Sequence, residues 1–193
     1  MAILTLFAAT AAATEPLPSA EDRALFAGFK QVCGQVRDLG KMERAARKAK
    51  WQPVGEDAHP QLVQLVRKGR EAALKDEPGS TVSGAQFSRQ LGGRTLWLVT
   101  SRFQDKEGYW GNGCRIYDFD AAAPLPLETL VALMGKPNTG SVALPDGNTK
   151  HLWEPGWKSG HTVEVVYISG TDPVAQKFGL KGQALMAQAI GGF

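Results

Sequence analysis

The stretch Thr95–Phe119, TLWLVTSRFQDKEGYWGNGCRIYDF, decides the fold. Leu96, Leu98, Thr100 and Arg102 alternate with Trp97, Val99, Ser101 and Phe103, the two-residue period of a β-strand. Both sets are largely apolar near the middle, which predicts a central strand with both faces covered. Tyr109 to Phe119 reads as a second strand. The polar run Gln104–Gly108 between them predicts a turn, and so an antiparallel hairpin.

Further along the chain, a helix beginning at Pro126 or Leu127 carries Leu130, Val131, Leu133 and Met134 and stops at Gly135, with Lys136-Pro137 blocking a restart. Ser141–Leu144 then reads as a strand and Pro145-Asp146-Gly147-Asn148 as a turn. Lys150–Glu154 and Thr162–Ser169 predict a second hairpin around a Pro155–Gly160 loop. In that register Glu154 faces His161. The tail from Asp172 suggests a weak helix over Ala184–Ile190.

Upstream the period changes. Ala85–Gln90 is a further strand, but the segment before it is helical. Ser19, with Asp22 three residues on, forms a capping box for a helix over Ala20–Val36. Its apolar stripe is Leu25, Phe26, Phe29, Val32, Cys33 and Val36. Asp38 caps a second helix that runs through Ala49 to Trp51 and is stopped by Pro53. His59-Pro60 opens a third, which ends before Pro78-Gly79. Helices first and antiparallel strands later predict an α+β protein. N-terminal helices pack on a sheet of hairpins, with one helix inserted between the hairpins.

Residues 1–13 carry no charged side chain, and Ala11-Ala12-Ala13 offers the small residues of a signal-peptidase site. We read them as a signal peptide cut after Ala13, although no Lys or Arg opens it. Residues 14–193 then form a single α+β domain, helical over 14–78 and mainly antiparallel sheet over 79–193. No later run reaches the roughly 20 apolar residues of a membrane span. No cysteine closely follows the leader, against a lipid anchor. The expected place is the periplasm or the medium.

The chain of 193 residues has two cysteines, Cys33 and Cys114. They lack the C-x-x-C spacing of a redox pair and have no partner ligands nearby for a metal. In an exported protein they predict one disulfide. With 43% hydrophobic and 21% charged residues, the composition is that of a folded protein. A net charge of +3 is too mild to indicate nucleic acid. A G-x-S-x-G elbow, an S-x-x-K pair and a phosphate loop are all missing, so no catalytic residue, cofactor or metal is assigned. Gly111 and Gly113 suggest a bend or bulge beside Cys114. Asp118 and Asp120 share a strand face but stand at a strand end, where solvated acids are common.

Two places remain as candidate binding sites. His151, Trp153, Trp157 and His161 crowd the second hairpin and its loop. Lys41, Arg44 and Lys48 share one face of the second helix and could meet an anionic partner. The expected function is an exported, non-catalytic binding protein of the cell envelope, with a protein or small-ligand partner. One alternative is a small hydrolase using His151 or His161 with a carboxylate. Another is an inhibitor or accessory subunit of an envelope enzyme, presenting the disulfide-held hairpin as its recognition edge.

Overall fold

The computed structural model describes residues 18–171 and 173–193, and the apolar leader lies outside them. Five helices and eight strands follow the order α1 (Ala20–Cys33), α2 (Leu39–Lys48), β1 (Gln52–Val54), α3 (Pro60–Asp76), β2 (Thr81–Leu91), β3 (Arg94–Gln104), β4 (Trp110–Asp118), α4 (Leu127–Met134), β5 (Gly140–Ala143), β6 (Thr149–Trp153), β7 (Thr162–Ile168), α5 (Pro173–Phe178) and β8 (Gly182–Gly191). The strands form one antiparallel sheet in the order β1-β2-β3-β4-β8-β7-β6-β5. The class is α+β, as the alternation in the first hairpin predicts.

The helix starts follow their capping chemistry. Ser19 Oγ accepts from the Asp22 backbone N–H at 3.0 Å, and Asp22 reaches back to the Ser19 N–H at 3.2 Å. Asp38 Oδ1 accepts from the Lys41 backbone N–H at 2.9 Å, which holds its carboxyl below the usual range. His59 caps α3 by accepting from the Gln61 N–H through Nδ1, and Pro60 occupies the first turn. Gly135 ends α4 in the left-handed conformation. Helix α1 stops at Cys33, and Val36 lies buried in the turn beyond it.

One face of the sheet is fully covered. Leu25, Phe26, Phe29, Val32 and Cys33 of α1, with Met42 and Ala46 of α2 and Leu130 of α4, pack on it. The sheet supplies Phe87, Leu96, Leu98, Cys114, Ile116, Val163, Val165, Leu185 and Ala187. Each such Phe, Leu or Val side chain contributes roughly 1.5–3 kcal/mol when fully buried. Cys33 and Cys114 are joined in the middle of this layer, their Cα atoms 5.3 Å apart.

Four expectations change. Ala184–Ile190 is not a helix: it belongs to β8, paired with β4 on one side and β7 on the other. Leu185, Ala187 and Ala189 are buried alternately, so tertiary pairing overrides alanine's helix preference. Strand β3 is internal, as its two apolar faces predict, between β2 and β4. Gly111 and Gly113 make no bulge, because the β3–β4 and β4–β8 registers run through them unbroken. The second hairpin is shifted by one residue, with Trp153 opposite Val163 and Leu152 opposite Glu164. Its closing contact is the Gly156 N–H to the His161 carbonyl at 2.6 Å, which leaves His161 outside the ladder. Because β3 and β4 are flanked by β2 and β8, the disulfide-held hairpin has no free edge to offer a partner.

The disulfide closes a separation of 81 residues, which the chain-entropy model values at about 4–5 kcal/mol. The double variant Cys33→Ala/Cys114→Ala is expected to unfold at markedly lower denaturant than the oxidised protein. An unchanged midpoint would show that the tie adds nothing to stability.

Candidate functional site

Among the described residues, α3 packs on the second face of the sheet. The helix is pinned at its N-terminal end. His59 stacks on Phe119 at 4.6 Å, Leu62 is fully buried, and Gln61 Oε1 accepts from the Lys181 backbone N–H at 2.9 Å. Beyond that anchor the helix rises over β2, β3, β4 and β8 and roofs a cleft of about 440 Å³.

The register shows how the cleft is built. Side chains on this face fall in rows across the strands. Gln86, Val99, Arg115 and Met186 make one row; Gly84, Ser101, Gly113 and Gln188 the next; Val82, Phe103, Gly111 and Ile190 the third. Three glycines in adjoining rows leave the floor bare. Leu65, Val66, Gly69, Arg70 and Ala73 of α3 form the roof.

Two of the three glycines have a local reason. A Cβ at Gly84 would meet the Thr100 carbonyl oxygen at 1.9 Å, and one at Gly113 would meet Arg115 Nη1 at 2.4 Å. Gly111 has none. A Cβ there touches only Ile190 Cγ2, at 3.9 Å. A strand glycine costs roughly 0.5–1 kcal/mol against alanine and often marks a close approach by a ligand or another backbone.

The polar lining combines two cations, Arg70 and Arg115, with neutral groups that include Gln86, Ser101, Tyr117 and Gln188. Arg115 is half-buried and donates from Nη1 to Ser101 Oγ at 3.2 Å. Arg70 donates from Nη2 to Glu56 Oε1, while its Nε is buried without a protein partner. No Asp or Glu lines the cleft. Loss of solvent pushes the Tyr117 hydroxyl above its ordinary pKa, and nearby Arg115 opposes that shift.

The residues singled out from the sequence lie elsewhere. Trp153 is fully buried on the α1 side and donates from Nε1 to the Lys136 carbonyl at 3.1 Å. Trp157 packs edge-on against Phe29 at 4.9 Å. His151 Nδ1 lies 2.8 Å from Ser141 Oγ. His161 is buried and its Nδ1 has no protein partner. None of the four lines the cleft. Neither His151 nor His161 hydrogen-bonds to a carboxylate; the charge of Glu128 acts on His151 through space, and those acting on His161 are Lys158 and Arg37. Among the described residues, no group of three His, Cys, Asp or Glu side chains could hold a metal. Lys41, Arg44 and Lys48 are exposed, with Lys41 3.7 Å from Asp38. Asp118 is buried and engaged, its Oδ2 2.8 Å from Arg94 Nη1, so it is a structural ion pair rather than half of an acid–base couple with exposed Asp120.

Sequence reading missed the cleft. Its signal was the recurrence of glycine at alternate positions 111 and 113, but the meaning depends on Gly84, which is brought alongside only by the β2–β3 pairing.

The histidines give the fold a pH dependence. Burial is the leading cause that lowers the pKa of His59, His151 and His161 below 6.5. The unfolded chain therefore takes up protons first as pH falls. Stability is full above about 6.5 and declines as pH drops through that value toward the folded pKa values. The neutral imidazole of His59 also accepts the cap of α3, and protonating Nδ1 removes that acceptor. Thermal unfolding followed between pH 7.5 and 5.5 is expected to show a falling Tm on acidification, and a flat profile would contradict this. No family model matches the chain, and neither a curated protein nor a solved structure matches it.

Proposed function

We propose that this chain is a non-catalytic binding protein that works outside the cytoplasm, and that a small ligand occupies the cleft beneath α3. The observation that carries the reading is Gly111. It stands in the floor of a 440 Å³ cleft, and no neighbouring atom forbids a side chain there. A central strand that gives up packing and stiffness without steric need makes sense if the space is used. The volume falls within the roughly 300–1,000 Å³ of small-molecule sites, and apolar walls with a few convergent polar groups are their usual lining.

Work outside the cytoplasm is supported by the uncharged leader and by the Cys33–Cys114 disulfide, a bond that persists in oxidising compartments. No described helix is long and apolar enough to cross a membrane. The exposed basic face of α2, with Lys41, Arg44 and Lys48, remains open to an anionic envelope partner. A hydrolase built on His151 or His161 is less well supported, since neither imidazole is hydrogen-bonded to a carboxylate and the Nδ1 partner of His151 is Ser141 Oγ.

The neutral dye Nile red tests the cleft without a charge bias. Wild-type protein is expected to bind it saturably at one site, with blue-shifted emission. Gly111→Leu fills the floor, so binding should weaken by about tenfold or more, the penalty for overlapping a packed group by more than 1.4 kcal/mol. Its Tm should be equal or higher, because a strand glycine is removed. Unsaturable binding, or binding indifferent to Gly111→Leu, would overturn the reading.

A further inference from the structure

We infer that the cleft takes a straight-chain carboxylate of medium length, its head group on Arg115 and its tail along the bare strip of Gly113 and Gly111. This deepens the cleft-binding reading and rests on it.

Charge comes first. Arg115 is a half-buried guanidinium whose protein hydrogen-bond partner is the Ser101 hydroxyl. No described carboxylate lies within 4.0 Å of it, whereas Arg70 and Arg94 have Glu56 and Asp118. A cation withdrawn from water without a counter-charge is costly. A ligand anion supplies what the protein withholds. The planar fork of Arg matches a carboxylate with two parallel hydrogen bonds. Gly113 lets that fork lie across β4, since a Cβ there would stand 2.4 Å from Nη1.

Shape comes next. From Arg115 to Gly111 is four residues of one strand, about 13 Å at 3.3 Å per residue. The strip ends between Phe103 and Ile190, the neighbours of Gly111 on β3 and β8. Leu65 and Val66 of α3 line the cleft and pack against the Leu62, Val99 and Phe119 cluster. Apolar groups such as Val82, Val99, Phe103 and Ile190 make up the larger part of the lining, and of its two cations, Arg70 and Arg115, Arg115 is the one without an acidic partner among the described residues. The volume of about 440 Å³ is within the roughly 300–1,000 Å³ of small-molecule sites.

Displacement of Nile red by three twelve-carbon probes at submicellar concentration separates the possibilities. Dodecanoate is expected to displace the dye at a concentration about tenfold below that needed for dodecanol, the worth of one charge-assisted pair. Dodecylammonium should be weaker than both. Arg115→Gln should keep Nile red binding and erase the preference for dodecanoate; Arg115→Lys should retain part of it. Equal displacement by dodecanoate and dodecanol in the wild type overturns the inference without any variant, and leaves the cleft-binding reading standing. Failure of Nile red itself to bind removes both.

Discussion

The junction of α1 with the middle of the sheet is the constraint on which the rest of the structure depends. The apolar stripe Leu25–Val32 is too narrow to be stable in water and has to be buried. It is buried over β4 and β8, the two central strands, and Cys33–Cys114 fastens it there. The join brings together residues 81 apart and holds β4 in place. Strand β8, from the far end of the chain, then has a fixed template on which to pair. Without that template the alanine-rich segment 184–190 has little reason to be extended.

With one face committed to α1, α2 and α4, the other carries α3 among the described residues. Helix α3 is fastened at its start by His59, Gln61 and Leu62, each engaging a different part of the sheet side. Its later turns hold no fully buried side chain. Burial is therefore greatest where the helix meets Phe119, and a later turn is tied by Arg70 to Glu56.

Much of this was legible in the residues. Alternation in Thr95–Phe103 and the caps at Ser19, Asp38 and His59 are local signals, decided by neighbours within four positions, and they were readable. The disulfide was readable because two cysteines allow one pairing. Strand β8 was not, because alanine at 184, 187 and 189 prefers a helix and only pairing with β4 and β7 makes it extended. The second hairpin was offset by one residue, because its register is set by burial of Trp153 and by the loop contact from Gly156 to His161. The aromatic crowding at Trp153 and Trp157 lies away from the cleft, with Trp153 fully buried and Trp157 against Phe29. The cleft escaped because its floor is assembled from β2 and β4 with β3 between them. Absence of side chains at three positions becomes a shape only once the sheet forms.

What remains is the cost of keeping such a cleft. Three strand glycines cost backbone entropy and packing. Two are forced by close approaches at Thr100 and Arg115, but the approach at Gly113 is itself made by a guanidinium that lies across the strand. A Cβ at Gly113 would also stand 2.9 Å from Ser101 Oγ, the group to which Arg115 donates. The arrangement is therefore one unit: a cation laid flat in the floor, the glycine that permits it, and a second glycine that continues the bare strip. A core optimised only for stability would place a β-branched residue at 111 and pair Arg115 with an acid. This chain does neither, and both departures face the same cleft.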